Sequence, residues 1–178
     1  VILFGDSLMA GYGLPNEQHL SVVLQNNLSL EGHNIEVING SVSGSTTAGG
    51  LNIAEWTLSE NNIDLMILCL GANDMLRGIN PKETKNNLDE IVKIAKRKNI
   101  KVIIAGMIAP TSYGSGYKKS FDKIFYDLSK KYKLQLIPFL LEGVAQKPEF
   151  NLSDGMHPND QGTIIIGNTL KIAILENL

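Results

Sequence analysis

Leu65-Met66-Ile67-Leu68-Cys69-Leu70, running straight into Gly71-Ala72-Asn73-Asp74, is the stretch on which the fold class turns. Six apolar residues in a row, without alternation, suit a strand buried on both faces. Parallel sheets bury strands in that way, because their crossover helices cover both sides. Outward from it, similar short runs lie at Val1–Phe4, Ile35–Asn39, Lys101–Gly106 and Leu134–Ile137. Amphipathic stretches separate them. Glu17–Leu30 places Leu20, Val23, Leu24 and Leu28 at helical spacing, and Pro81–Lys98 does the same with Leu88, Ile91, Val92 and Ala95 after a first-turn proline. Tyr117–Tyr132 and Asn159–Leu175 read as helices too, and Thr46–Glu60 as a weaker one because it contains Gly49 and Gly50. Five strand-then-helix units predict an α/β fold, a three-layer sandwich around a five-stranded parallel sheet.

The chain has 178 residues, which suits one domain over 1–178. A hydrophobic content of 43%, a charged content of 19% and a formal charge of −2 are ordinary for a globular protein. No basic excess points to nucleic acid, and no acidic tail to a charged partner. No run approaches the roughly 18 apolar residues of a spanning helix. Lys93, Lys96, Arg97, Lys98 and Lys101 cluster where a helix ends, and read as a solvated terminus that favours cations. Cys69 is the one cysteine and reads as a small buried hydrophobe. The chain opens at Val1 without methionine and enters an apolar run at once. That reads as a trimmed start, from a removed signal peptide or a shortened sequence.

In such a sheet, ligands bind beyond the carboxyl ends of the strands. The loops to read are Gly5–Leu14, Gly40–Ser45, Gly71–Asn80, Met107–Gly116 and Pro138–Pro158. The first contains Gly5-Asp6-Ser7-Leu8, in which Ser7 is either a nucleophile at the sheet's mouth or part of a helix cap with Asp6. Three histidines are candidates for its base. His19 sits in the first helical stretch and His33 in a turn, neither with a suitable carboxylate in a carboxyl-end loop. His157 follows Asp154 by three residues in Asp154-Gly155-Met156-His157-Pro158. That spacing can bring the carboxylate to one ring nitrogen and leave the other for a serine, or it can form a capping turn. The connection from Pro138 is long, with a short helix expected near Leu140–Ala145, and could carry His157 back over the sheet. Asn73 offers a side-chain amide and Gly44 an unobstructed N–H, although each is also a plausible turn residue. With strand order 2-1-3-4-5 the loops holding Gly44, Ser7 and Asn73 are neighbours. A metal site from Asp6, Asp74, Asp154 and His157 has the composition but no compact ligand motif.

Four segments occur in order across nearly the whole chain: Gly5-Asp6-Ser7-Leu8, Ser43-Gly44-Ser45-Thr46, Gly71-Ala72-Asn73-Asp74 and Asp154-Gly155-Met156-His157-Pro158. Together they resemble the four sequence blocks of the SGNH, or GDSL, hydrolases. Ala10-Gly11-Tyr12-Gly13-Leu14, Met75-Leu76-Arg77-Gly78 and Ala109-Pro110-Thr111-Ser112-Tyr113-Gly114 further resemble the bacterial thioesterase I / protease I / lysophospholipase (arylesterase) subgroup. The resemblance implies a flavodoxin-like sandwich with no metal or organic cofactor. It implies Ser7 as nucleophile, His157 as base, Asp154 as orienting acid, and an oxyanion hole from Ser7, Gly44 and Asn73. Ala72 and Ser45 depart from the subgroup, which often has Gly and Asp there; they flank the oxyanion donors and bear on substrate range.

Substrates implied are small-molecule esters, thioesters or lysophospholipids, in the periplasm or outside the cell. Apolar loop residues Met75, Leu76, Ile79, Met107, Ile108, Pro110, Tyr113 and Tyr117 are candidates for an acyl site, or pack the loops down. Arg77 is the basic group nearest this mouth and reads as surface solvation before anion contact. The competing readings are a carbohydrate O-acetylesterase on the same framework, and a non-catalytic flavodoxin-like binding module. The Gly-x-Ser-x-Gly elbow of α/β-hydrolases is absent.

Overall fold

The structure, a computed structural model, describes residues 1–59 and 62–177. The apolar run forms β3 (Leu65–Cys69), every residue of it buried. It lies at the centre of a five-stranded, all-parallel sheet of order β2-β1-β3-β4-β5, with β1 (Ile2–Gly5), β2 (Ile38–Asn39), β4 (Lys101–Ala105) and β5 (Gln135–Ile137). Ile2, Leu3, Phe4 and Gly5 stand beside Met66, Ile67, Leu68 and Cys69, so β1 and β3 end together. That shared end places the loops after them side by side.

Two groups of helices enclose the sheet. α2 (Leu20–Leu30) packs on α7 (Asp160–Leu175). α3 (Thr47–Thr57) packs on α5 (Pro81–Arg97), which packs on α6 (Ser115–Tyr132). The glycines that weaken α3 as an isolated helix have a packing reason. A Cβ on Gly50 would stand 2.3 Å from Leu70 Cδ1, so glycine lets α3 lie close on the sheet. The basic cluster at the end of α5 is engaged in surface ion pairs: Lys93 with Asp89 and Glu90, and Arg97 and Lys98 with Glu55. Among the described residues no helix is long and apolar enough to cross a membrane.

Several boundaries differ from the sequence reading, each for a local reason. Strand β2 covers only the end of Ile35–Asn39. Upstream, the Gln25 side chain donates to Ile35 O at 2.7 Å and accepts from Val37 N–H at 2.8 Å, taking the place of a strand partner. α2 starts at Leu20, because His19 is extended after a 3₁₀ turn at Asn16–Gln18. α3 ends at Thr57, and Glu60 lies outside the described residues. α6 starts two residues earlier than expected, at Ser115. No helix forms at Leu140–Ala145, where the chain makes successive turns; Gly143 and Gln146 have φ of 79° and 63°, which a helix cannot accommodate. Two short helices stand within the loops, the first of them at the capping turn expected around Ser7. α1 (Ser7–Ala10) and α4 (Ala72–Leu76) each follow a central strand directly.

Candidate active site

The chain leaves β1 through Gly5 and turns at once into α1, so Ser7 is the first residue of a one-turn helix at the sheet's carboxyl end. Asp6 caps it, accepting the Leu8 N–H at 3.1 Å. That carboxylate is also wholly buried, and its second oxygen accepts from Asn73 Nδ2 at 3.2 Å. Burial pushes the Asp6 carboxyl up to about 6, against the pull of the Leu8 and Asn73 donors. The Asn73 amide has two hydrogens, one directed to Asp6 and one left for another acceptor.

Asn73 sits in α4, which leaves β3 through Gly71. The next residue, Asp74, is wholly buried. It accepts from Thr47 N–H at 2.7 Å, from the Thr47 hydroxyl, and from the Thr84 hydroxyl at 3.1 Å. One carboxylate therefore ties the start of α3 to α4 and α5. Just upstream of α3, Val42–Ser45 forms a β-turn closed by Ser45 N–H to Val42 O at 3.1 Å. Gly44 is its third residue, with φ of 77°, as a type II turn requires. A Cβ there would meet nothing within 4 Å, so backbone conformation and not crowding calls for glycine. Among the described residues, neither the Ser7 N–H nor the Gly44 N–H has a protein acceptor.

The connection after β5 returns across the sheet and closes on itself through the bridge Asn151–Pro158 and Leu152 N–H to His157 O at 2.8 Å. Asn151 is buried and anchors the base of this loop on the carbonyls of Val144 and Lys147. Within the loop, Asp154 Oδ1 accepts the N–H groups of Met156 and His157 at 2.8 and 3.0 Å. Those two donors hold the Asp154 carboxyl down at about 2, helped by the imidazole. Asn159, not Asp154, caps α7. Asp154 Oδ2 then accepts from His157 Nδ1 at 2.6 Å, and the Ser7 hydroxyl donates to His157 Nε2 at 2.9 Å. A carboxylate, an imidazole and a hydroxyl stand in one line, which is the arrangement that removes a proton from a serine as its oxygen attacks.

Ser7, Asp154 and His157 thus meet, with Asn73 reaching the same loop through Asp6. The other histidines are elsewhere: His19 packs over Gly11 and bonds Leu14 O, and His33 lies in the turn after α2. The four residues of the candidate metal site are dispersed among other partners. Asp154 pairs with His157, Asp6 with Asn73, and Asp74 with two threonines. Of the acyl-site candidates, Met75 and Met107 are buried in the core, Leu76, Ile108 and Pro110 are exposed, and Ile79, Tyr113 and Tyr117 are half-buried. Tyr117 donates to Ile79 O at 3.0 Å and stacks on Tyr113, so the loops after β3 and β4 touch there. A cavity of about 10 Å³ is lined by Ser7, Leu8, Tyr12 and His157 among others. The larger cleft, about 500 Å³, runs along β2 and α3 and is lined by none of Ser7, Asn73, Asp154 and His157.

Sequence reasoning missed three contributions. Asp74 reads as half of a motif, and nothing in its spacing announces a buried anchor. Arg77 donates to Gly44 O at 3.0 Å where solvation was expected. Tyr12 lies against the His157 ring, with centroids 4.4 Å apart. Its place between Gly11 and Gly13 was the available signal.

The GDSL-like lipase/acylhydrolase family model matches residues 3–163. The arylesterase of Vibrio mimicus is 38% identical over 161 residues, 90% of this chain and 80% of that protein. Thioesterase 1/protease 1/lysophospholipase L1 of Escherichia coli K12 is 31% identical over 159 residues, 89% of this chain and 75% of that protein. A crystal structure of TesA superposes with a TM-score of 0.93 at 32% identity, covering 99% of this chain and 98% of that one. The chain belongs to the GDSL-like lipase/acylhydrolase family, and is a carboxylic-ester hydrolase on the three-layer, five-stranded SGNH framework.

Proposed function

We propose that this hydrolase works through an acyl-enzyme on Ser7. The line from the Ser7 hydroxyl to His157 Nε2 to Asp154 is the observation that carries the reading. His157 takes the Ser7 proton as Oγ attacks the acyl carbon. The oxyanion is met by the Ser7 N–H, the Gly44 N–H and the second hydrogen of the Asn73 amide. Collapse breaks the bond to the alcohol or thiol, which leaves with the proton from His157. Water then gives a proton to His157, attacks the acyl carbon, and releases the carboxylic acid as Ser7 regains its hydrogen. Asp154 stays charged throughout and holds the imidazole in its Nδ1–H tautomer.

The substrates we infer are carboxylic esters, with acyl-thioesters and lysophospholipids as further members of the class. The relatives, an arylesterase and a thioesterase 1/protease 1/lysophospholipase L1, support that range. The same resemblance supports action outside the cytoplasm, in the periplasm or secreted, which cell fractionation checks. The deciding experiment is a screen of p-nitrophenyl esters and acyl-thioesters of graded length, run beside Ser7→Ala. Wild type should hydrolyse them and be labelled by a fluorophosphonate. The variant should fold, resist labelling and lose at least about 10³ in turnover. A folded Ser7→Ala protein with full activity sinks the reading. Strict preference for acetyl over hexanoyl would move the substrate class to an O-acetylesterase.

A further inference from the structure

Arg77 stands four residues after Asn73, about one helical turn on, so the two side chains leave this short segment on one side. Its Nη2 donates to the carbonyl oxygen of Gly44 at 3.0 Å. Its backbone N–H donates to Asn73 O at 3.1 Å. Between them in sequence, Asp74 holds the N–H and hydroxyl of Thr47. Gly44 and Thr47 bound the stretch that leads into α3, and the α4 segment grips it at both ends.

We propose that Arg77 is a positioning residue of the oxyanion hole, holding Gly44 so that its N–H stays registered against the Asn73 amide. The inference rests on the reading of Gly44 and Asn73 as oxyanion donors. Gly44 needs a restraint. It is exposed, it has no side chain, and glycine accepts either sign of φ at low cost. The turn is exposed and closed by a single internal bond, so Gly44 can shift against α4. That shift would carry the Gly44 N–H away from a developing oxyanion. The Asp74 anchor acts three residues later, at Thr47, and leaves this freedom in place. The charge-assisted bond from Arg77 is the restraint applied at Gly44 itself.

An exposed arginine could instead meet an anionic part of the substrate, so the test uses two esters that differ in that respect. Turnover of phenyl butanoate and of 4-carboxyphenyl butanoate would be measured for wild type, Arg77→Met, Arg77→Lys and Asn73→Ala, with Tm for each. We expect Arg77→Met to lower kcat about tenfold on both esters, with KM within about twofold, Tm unchanged and partial recovery in Arg77→Lys. Displacing a donor should cost less than the roughly 10²–10³ of deleting one, which is the expectation for Asn73→Ala. A loss confined to the carboxylated ester, or seen in KM alone, would make Arg77 a substrate contact and overturn the proposal. So would a fall in Tm that accounts for the lost activity. Full activity in Asn73→Ala would overturn the donor assignment itself, whereas normal activity in Arg77→Met beside a slow Asn73→Ala overturns only the positioning role.

Discussion

Around Asp6 and Asp74 the site is buried and hydrogen-bonded into the core, whereas around Asp154 it is a surface loop whose geometry comes from its own backbone. The first region holds the proposed nucleophile and oxyanion donors; the second holds the proposed base. Their carboxylates differ accordingly. Asp6 lies so deep that burial opposes its charge, and its use is to aim the amide of Asn73. Asp154 has a side chain 32% exposed, and two local N–H donors secure its charge without help from the core. The proposed nucleophile and the Asn73 donor are built on strand ends and short helices, whereas the proposed base, its side chain 17% exposed, stands on the loop.

The sharpest way to break this contrast is at the exposed end. Asp154→Asn should lower kcat by on the order of 10²–10⁴ through loss of the tautomer and of imidazolium stabilisation, while Tm stays near that of wild type. Steady-state kinetics beside thermal melts read both, and a folding defect with normal turnover would reverse the assignment. Asp74→Ala should do the opposite. It strands a buried N–H and two hydroxyls, and should cost about 3 kcal/mol of stability, visible as a lower urea midpoint. An unchanged midpoint would mean that the buried region does not depend on its carboxylate.

A smaller effect concerns pH. Burial raises the Asp6 carboxyl to about 6 in the folded protein, against an ordinary value of 3.8. Between those values the folded state keeps a proton that the unfolded state has released. Its contribution to stability therefore falls as pH rises through that window, by about 1–3 kcal/mol. Asp154 runs the other way: its depressed pKa stabilises above pH 3.8, and this is lost as pH falls toward 2. Asp6→Asn should remove the first slope. Its stability relative to wild type should improve from pH 4 to pH 7 in denaturant titrations, and a constant difference across that range would count against a buried, titrating Asp6.

Much of the framework was legible because it rests on local pattern. The unbroken Leu65–Leu70 run specified a two-sided strand, and Asn80-Pro81 with a 3.6-residue apolar stripe specified α5. The meeting of Ser7, His157 and Asp154 was legible for another reason: a turn with few functional groups and a chain with three histidines leave few pairings. The strand expected over Ile35–Asn39 is shortened to Ile38–Asn39 because the Gln25 side chain captures the backbone of Ile35 and Val37, a side-chain contact that apolar patterning does not encode. The helix expected at Leu140–Ala145 failed on backbone angles that hydrophobicity does not encode. The contacts of Asp74 and Arg77 were not legible, because they reach Thr47 and Gly44 across 27 and 33 residues.

The bond between Ser7 and His157 joins residues 150 positions apart. Contacts of such separation come late in folding, after the loop they close has been shortened by everything that packs inside it. A ribosome delivers Ser7 among the first residues of this sequence and His157 near its end. Until then the hydroxyl has no acceptor to draw off its proton, and an unfinished or misfolded copy carries an ordinary serine. If Ser7 and His157 act as proposed, hydrolytic capacity is in that sense a certificate of folding, issued when the loops that carry them meet.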